Sequence, residues 1–288
     1  MAIVAVHART AEAITAIASV HRVFGSSRFD LRDVIVFVDE AEGPRAATMS
    51  ALSAIEPPPT TMTNGDGEVY WARAFVQLLG AALVTGADFV LHLNTDVVLT
   101  ANPDPLFDPM CNDSTIAAVS ATLDGDVRLT GYHRARAWFP FFRSVAPGAE
   151  AAYLPASCIA IRAHALTNDA IELDALGEYR HGWADIELSC QLRESGFRLL
   201  TTPAAVGRVA HRRYFRRQPN FDRFDGSFVR YVRECPTAPC WADTKRFGTR
   251  LFGRLWFVLL RVYVPVIIHY VRYRIQRLRG GTRDVATR

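Results

Sequence analysis

The sequence predicts an α/β protein in which helices flank a single, mostly parallel sheet, followed by a C-terminal amphipathic helical tail. Short apolar runs without strict alternation recur through the first 100 residues, and helical patterns separate them. Such runs are typical of strands buried on both faces, and strands that alternate with helices form parallel βαβ units. The basic and aliphatic character of residues 241–288 predicts the tail.

The elements follow in chain order from these patterns. In the first half we predict strands at 3–8, 34–38 and 89–93, an extended piece at 60–63, and helices at 11–24 and 68–85. This rhythm is typical of a Rossmann-like nucleotide-binding half over residues 1–100. In the second half we predict strands at 116–121, 158–161, 197–201 and 205–210, helices at 163–170 and 184–194, and a long loop at 124–150.

Composition and charge bound the kind of protein. Half of the 288 residues are hydrophobic and 22% are charged, which supports a sizeable core and excludes a disordered chain. Residues 241–288 carry 11 Lys and Arg against two acids, a net of +9, whereas the rest of the chain has a net of −5. Five widely spaced cysteines form no zinc pattern and favour a reducing, cytosolic compartment, and the opening residues do not lead us to expect a signal peptide.

Polar side chains follow three of the predicted strands. His7 and Arg9 follow the first strand, Asp39 follows the second, and Asn94 and Asp96 follow the strand at 89–93. Ligands bind at the carboxyl ends of strands in open α/β sheets, so these groups converge if the strands are neighbours. A carboxylate such as Asp96 binds Mg²⁺ or Mn²⁺ at such an edge, or merely caps a turn.

A second group of polar residues lies in the second half of the chain. Asp185 and Glu187 open a predicted helix, where the helix dipole favours acids in any case. Asp185 facing a cleft would act as a general base, and Glu187 would either bind an acceptor or hold the helix in place. His211 ends a predicted strand, where a histidine is either a ligand or an ordinary surface residue.

Three stretches together resemble glycosyltransferase family 2, whose members have the A-type nucleotide-diphospho-sugar transferase fold. The stretches are NGDGEVYWARAF followed by ADFVLHLNTDVVL, then PASCIAIRAHAL, then GWADIELSCQLRESGFRLLTTPAAVGRVAH. The resemblance covers roughly residues 1–215 and is greatest to rhamnosyl- and galactofuranosyltransferase-like members. It implies a catalytic domain at 1–240, with a nucleotide-sugar-binding half at 1–100 and an acceptor half at 101–240.

The resemblance also implies roles for individual residues. Asp96 matches the metal-binding acid of the L-N-x-D motif, and His211 matches a histidine that completes the metal shell in some members. Asp185 matches the catalytic base. The positions that match donor-binding residues are His7, Arg9, Asp39, Trp71 and Asn94, and those expected to contact the acceptor are Trp183 and Glu187, joined by Tyr132 and Trp138 of the aromatic loop.

The activity implied is that of an inverting, metal-dependent glycosyltransferase using Mg²⁺ or Mn²⁺. It would move a hexosyl or deoxyhexosyl group from a nucleoside-diphosphate sugar to a hydroxyl of a lipid-linked or cell-envelope glycan, in polysaccharide biosynthesis. The Q-x-x-R-W motif of processive synthases does not occur, which favours single addition. A nucleotidyltransferase acting on sugar phosphates and a non-catalytic glycan- or lipid-binding homologue are the alternatives. A nucleotidyltransferase would need a Gly-rich phosphate loop after the first strand, and this sequence has none there. A non-catalytic homologue would have no need for Asp96 and Asp185.

The tail predicts a peripheral membrane contact. Residues 255–271 hold too few uninterrupted apolar positions to span a bilayer, and Arg261 is costly there. Arg254, Arg261, Arg272 and Arg279 form one stripe on a continuous helix, typical of an amphipathic helix on an anionic membrane. We expect a cytoplasmic protein, peripheral on the inner face of the cell membrane. The alternative is a helix packed on the catalytic domain; nucleic-acid binding is not expected, because aliphatic residues are dense between the charges.

Overall fold

The computed structural model describes residues 2–8, 12–39, 42–57, 59, 61–65, 69–124, 132–134, 142–179 and 184–209, together with residues 243, 246 and 249. The strands are β1 (Ala2–Ala8), β2 (Leu31–Val38), β3 (Thr61–Asn64), β4 (Phe89–Asn94), β5 (Val97–Leu99), β6 (Ile116–Asp124), β7 (Tyr132–Arg134), β8 (Phe142–Ser144), β9 (Cys158–Arg162) and β10 (Arg198–Val209). The helices are α1 (Glu12–Phe24), α2 (Glu42–Ser53), α3 (Tyr70–Val84), α4 (Asp104–Asn112), α5 (Ala163–Leu166), α6 (Leu173–Gly177) and α7 (Ala184–Glu194).

Eight strands form the main sheet in the order β3-β2-β1-β4-β9-β6-β10-β5. The first four are parallel, as predicted, and β6 and β10 are parallel to each other. Strand β9 is antiparallel to both of its neighbours, and β5 is antiparallel to β10. The sheet is therefore mixed, with six of its described strands in one direction and two, β9 and β5, in the other; the prediction did not include these two reversed strands.

The two reversed strands are reached without a helical crossover in the described residues. Strand β5 follows β4 after a two-residue turn but pairs with β10 at the end of the sheet. The described part of the chain between the neighbours β6 and β9 holds the β7–β8 hairpin rather than a helix, and antiparallel neighbours do not need a helical crossover. This hairpin is a second, two-stranded sheet within 124–150, where the sequence predicts only a loop.

Several elements differ from their predicted form. The two strands predicted at 197–201 and 205–210 are one strand, β10, whose register shifts between Thr201 and Ala205. Helix α4 is not among the predicted elements; it contains Pro109, and Leu106 and Phe107 are buried on its inner face. Burial of large apolar side chains therefore outweighs the hydrogen bond that a proline removes from a helix. Helices α2 and α6 and strand β5 are likewise found only in the structure.

Two apolar clusters lie on opposite faces of the main sheet. Side chains alternate along a strand, so Val36 belongs to one cluster and its neighbour Phe37 to the other. Helices α1 and α4 pack on the first face, and α3, α6 and α7 pack on the second. The prediction that helices flank the sheet is thus confirmed. Helix α7 packs on the same face of the sheet as α3.

The start of the predicted tail contacts the globular body. Asp243 is buried, and Arg246 forms an ion pair with Glu178 and lies over the Tyr179 ring, 5.8 Å from its centroid. The arginine stripe and the apolar run at 255–271 lie outside the described residues. Within the described part of the chain, no helix is long and apolar enough to cross a membrane.

Candidate active site

The carboxyl ends of β1, β2, β3 and β4 lie side by side. His7 of β1 pairs in register with Phe37 of β2 and with Asn94 of β4, and Val38 pairs with Asn64 of β3. The backbone positions after these strands therefore form one continuous edge. This edge is where an open α/β sheet binds its ligand.

Asp39 lies at this edge and contacts the turn that follows β3. It is 2% exposed, and its Oδ1 accepts from the Val69 N–H at 3.3 Å. Gly65 donates to the Val38 carbonyl oxygen at 2.8 Å, and a Cβ at this glycine would lie 2.7 Å from Asp39 Oδ1. The N-G-D-G stretch thus needs glycine at its second position because its backbone lies directly on the Asp39 carboxylate.

Trp71 and Asn94 form a side-chain pair at the same edge. The indole Nε1–H donates to Asn94 Oδ1 at 3.0 Å. An indole N–H only donates, so the atom facing it must be the amide oxygen, and the Asn94 NH₂ group points away from Trp71. The Trp71 ring is itself stacked on Phe75, with centroids 5.0 Å apart and planes 11° apart. Trp71 therefore fixes which face of Asn94 offers donors.

Asp96 lies in the turn between β4 and β5 and is partly exposed. A partly exposed carboxylate is a suitable ligand for Mg²⁺ or Mn²⁺, which are often held by one or two carboxylates together with substrate phosphates. Among the residues that the structure describes, no group of three or more His, Cys, Asp and Glu side chains could hold a metal ion. The metal-binding role of Asp96 therefore stays a prediction.

Four residues that we call the central segment, Leu154–Ser157, join the two halves of the site. Leu154 and Ala156 donate through their N–H groups, and the carbonyl oxygens of residues 155, 156 and 157 accept. The Leu154 N–H donates to Ser189 Oγ (3.0 Å), and the Ala156 N–H donates to Asp185 Oδ2 (3.2 Å). The Pro155 carbonyl accepts from Ser120 Oγ (3.2 Å), and the Ala156 carbonyl accepts from His92 Nδ1 (2.7 Å). The Ser157 carbonyl accepts from the Asn94 N–H (2.9 Å).

Asp185 is the second residue of α7 and points at the central segment. Its Oδ1 accepts from the Ile186 N–H at 2.9 Å, and its Oδ2 accepts from the Ala156 N–H. Burial raises the pKa of Asp185 to about 6, although the backbone N–H groups of Ala156, Ile186 and Asp185 itself act in the opposite direction. A carboxylate with a pKa near neutrality is well matched to general base catalysis.

Glu187 faces the protein interior rather than the sheet edge. It is 5% exposed, and its carboxylate accepts from the Tyr179 hydroxyl at 3.4 Å and from Gln191 Nε2 at 3.2 Å. Gln191 in turn accepts from the Glu172 N–H, at the start of α6. Of the two roles considered for Glu187, these contacts favour holding α7 against α6 over binding an acceptor.

The remaining predicted site residues are described in part or not at all. His7 and Tyr132 are described through their backbones, in β1 and β7. Arg9, Trp138, Trp183 and His211 lie outside the described residues. Their proposed roles in donor, acceptor and metal binding stay predictions.

The structure adds residues that the sequence analysis did not select: His92, Ser120, Ala156 and Ser189. One signal was present for His92, because a polar residue inside the apolar run FVLHL must find a hydrogen-bond partner once buried. Ala156 had no such signal, since it contributes only backbone groups.

The fold is similar to that of a known nucleotide-sugar enzyme. A solved structure described as mannosyltransferase PcManGT from Pyrobaculum calidifontis in complex with GDP-Man and Mn²⁺ matches with a TM-score of 0.52 at 15% identity. The match covers 100% of this chain and 80% of that one. No family model and no curated protein matches the chain. In total 497 solved chains are similar, so the fold is widespread and function has to be argued from the site.

Proposed function

We propose that the chain is a nucleotide-sugar glycosyltransferase that transfers one sugar, with inversion, to a hydroxyl group of a lipid-linked or cell-envelope glycan. The observation that carries this proposal is the contact between Asp185 and the Ala156 N–H, one residue before the Ser157 carbonyl that binds the Asn94 backbone. A carboxylate suited to act as a base is thereby tied to the strand end expected to bind the donor. The shared fold with a protein solved with GDP-Man and Mn²⁺ supports the donor class.

The donor would lie along the carboxyl ends of β1, β2 and β4. Asp39 and the turn at Gly65 would shape the nucleoside end, and the Asn94 NH₂ group would donate to a diphosphate or sugar oxygen. His7 and Arg9 would complete the donor site from the first strand. Asp96, with His211, would hold a divalent cation, which when bound supplies positive charge to the leaving diphosphate.

Asp185 would act on the acceptor. A carboxylate with a pKa of about 6 is mostly ionised at pH 7, so it can take the proton of an acceptor hydroxyl. The hydroxyl oxygen would form a bond to the anomeric carbon while the bond to the diphosphate oxygen breaks. Attack from the face opposite the leaving group inverts the anomeric configuration. Trp183, Tyr132 and Trp138 would line the acceptor side.

The test is release of nucleoside diphosphate from a panel of UDP-, dTDP- and GDP-sugars in the presence of Mn²⁺ or Mg²⁺. The wild type should release diphosphate from one donor class, and adding glycolipid acceptors should stimulate release. Asp96→Ala should abolish it, whereas Asp174→Asn, which changes an exposed carboxylate on α6, should not. Well-folded protein that neither releases diphosphate nor binds a nucleotide in a metal-dependent way would contradict the proposal.

The location is part of the same proposal. We infer that the tail brings the enzyme to the cytosolic face of an anionic membrane, where a lipid-linked acceptor is found. The net charge of +9 in residues 241–288 supports this inference, since each basic residue near an anionic surface contributes about 1 kcal/mol of attraction.

A further inference from the structure

His92 is a fully buried histidine in the strand that leads to the candidate donor site. It exposes 0% of its surface and lies two residues before Asn94. Its Nδ1 lies 2.7 Å from the Ala156 carbonyl oxygen. A carbonyl oxygen only accepts, so Nδ1 must carry a proton and donate it to this bond.

The orientation of the His92 ring is fixed by α3. Phe75 contacts it edge to face, with centroids 4.7 Å apart and planes at 82°, and Trp71 contacts it at 5.9 Å and 87°. Two aromatic side chains therefore hold the imidazole so that Nδ1 faces the central segment. Rotation of the ring would lose both aromatic contacts as well as the bond to Ala156.

Ala156 lies between His92 and Asp185. Its carbonyl accepts from His92, and its N–H donates to Asp185 Oδ2 at 3.2 Å. The two groups are separated by a single Cα, so a carbonyl held in place restricts where the N–H can point. On the other side of that N–H, Ser120 Oγ donates to the Pro155 carbonyl, which belongs to the same peptide group.

We propose that His92 is a positioning residue for Asp185: by holding the Ala156 backbone, it keeps the N–H directed at the carboxylate that would act as the base. The role of Asp185 as a base rests on the proposed function, but the coupling between His92 and Asp185 does not. The proposed effect of His92 on Asp185 passes through the Ala156 backbone, which is hydrogen-bonded to both residues.

The alternative is that His92 is simply a packed histidine. The two ideas differ in what they predict for the ionisation of Asp185. The Ala156 N–H favours the ionised carboxylate and opposes the effect of burial, and no charged side chain of the described residues contributes to the shift. Glu187, on the same helix, is bonded to Tyr179 and Gln191 instead. Loosening Ala156 should therefore raise the pKa of Asp185 further, whereas loss of packing alone should leave it in place.

The test compares three substitutions of His92 in the full-length chain. Asn places an amide N–H near the position of Nδ1, Gln places it further out, and Leu offers no donor. The pKa of Asp185 is measured from the carboxyl ¹³C shift of aspartate-labelled protein, assigned by its absence in Asp185→Asn. This reading needs no substrate.

We expect His92→Leu and His92→Gln to raise the pKa of Asp185, and His92→Asn to restore a value close to that of the wild type. In the transfer assay, Leu and Gln should lower kcat by roughly 10- to 100-fold and shift the acid limb of the pH profile upward. If His92→Leu does not fold, the comparison of His92→Asn with His92→Gln tests the proposal, because the two amides differ only in the distance of the N–H donor from the backbone.

Two results would overturn the proposal. One is an unchanged Asp185 pKa in folded His92→Leu or His92→Gln; the other is an equal rise in His92→Asn and His92→Gln. Absence of transferase activity in the wild type would contradict the proposed function instead, and the titration would still decide whether His92 positions Asp185.

Discussion

The Trp71 indole donates to Asn94 Oδ1 at 3.0 Å, so the Asn94 amide can offer only its N–H groups to a ligand on its other side. The L-N-x-D stretch of this sequence has an asparagine at this position. The pairing with Trp71 gives a physical reason for an amide at this position. A carboxylate would also accept from the indole, but it would turn an acceptor rather than a donor toward a diphosphate.

Replacing Asn94 tests this interpretation. We expect Asn94→Asp to weaken donor binding by roughly 10- to 100-fold, because hydrogen bonds to charged groups contribute about 1.5–3 kcal/mol and the new charge repels phosphate. Calorimetric titration with the donor identified by the release assay measures the change. Trp71→Phe, which keeps the stack on Phe75, should weaken binding less. Equal affinity of Asn94→Asp and wild type would show that the amide does not donate to the ligand.

Asp185→Asn should separate catalysis from donor binding. Loss of the base is expected to lower kcat by about 10²–10⁴-fold with the donor affinity retained. The rate of the wild type should rise with pH through the pKa of about 6, because only the ionised carboxylate accepts the acceptor proton. Rates across pH 5 to 8 check both statements. A variant that keeps full activity would remove Asp185 from the mechanism.

The same carboxyl predicts a pH-dependent stability. The pKa of Asp185 is raised above the ordinary value of 3.8, so the folded state binds more protons than the unfolded state between these values. The free energy of unfolding therefore loses up to about 3 kcal/mol from this group as pH rises through 6. We expect the free energy of unfolding of Asp185→Asn, relative to that of the wild type, to be higher at pH 7 than at pH 4. Urea unfolding at both pH values measures the difference, and a constant difference would contradict the raised pKa.

Gly65→Ala should disturb the nucleoside end of the site. The added Cβ would meet Asp39 Oδ1 at 2.7 Å and a Val69 methyl group at 2.8 Å, which forces the turn to move. Overpacking of this kind costs about 1–3 kcal/mol in the free energy of unfolding. Thermal unfolding should show this loss, and nucleotide affinity should fall with it. Gly80→Ala, where nothing lies within 4 Å of the added atom, is the matched control.

The tail prediction is tested by its arginine stripe. We expect the combined change of Arg254, Arg261, Arg272 and Arg279 to Gln to abolish sedimentation with vesicles that contain anionic lipids. Binding by the wild type should weaken as salt rises, since exposed charges are screened. Release of diphosphate in solution should persist in the variant. Wild-type protein that does not sediment with these vesicles even at low salt would favour the packed-helix alternative.

Much of the first half could be predicted because its signals are local. Buried apolar runs mark β1, β2 and β4, and the alternation of strands with helices specifies their parallel arrangement. Asp39 follows β2 and Asn94 is the last residue of β4, so the parallel arrangement brings them to one edge of the sheet. Asp185 was found through a motif, and the helix that carries it runs over 184–194 as predicted.

The second half depended on contacts between distant residues. The direction of β9 and the existence of α4 follow from packing on a sheet that is complete only when the chain is folded. Nothing local at position 156 indicates that an alanine would join two halves of a site. Its backbone groups are the same as those of any other residue.

Local sequence patterns were thus enough to predict candidate site residues at the end of a strand or the start of a helix. The burial and hydrogen-bond partners of those residues are set only when the chain is folded. The pKa of Asp185 depends on burial and on an N–H contributed from 29 residues away, and the orientation of Asn94 depends on an indole 23 residues away. Desolvation and hydrogen-bond direction are properties of three-dimensional proximity, and sequence order does not encode them one residue at a time.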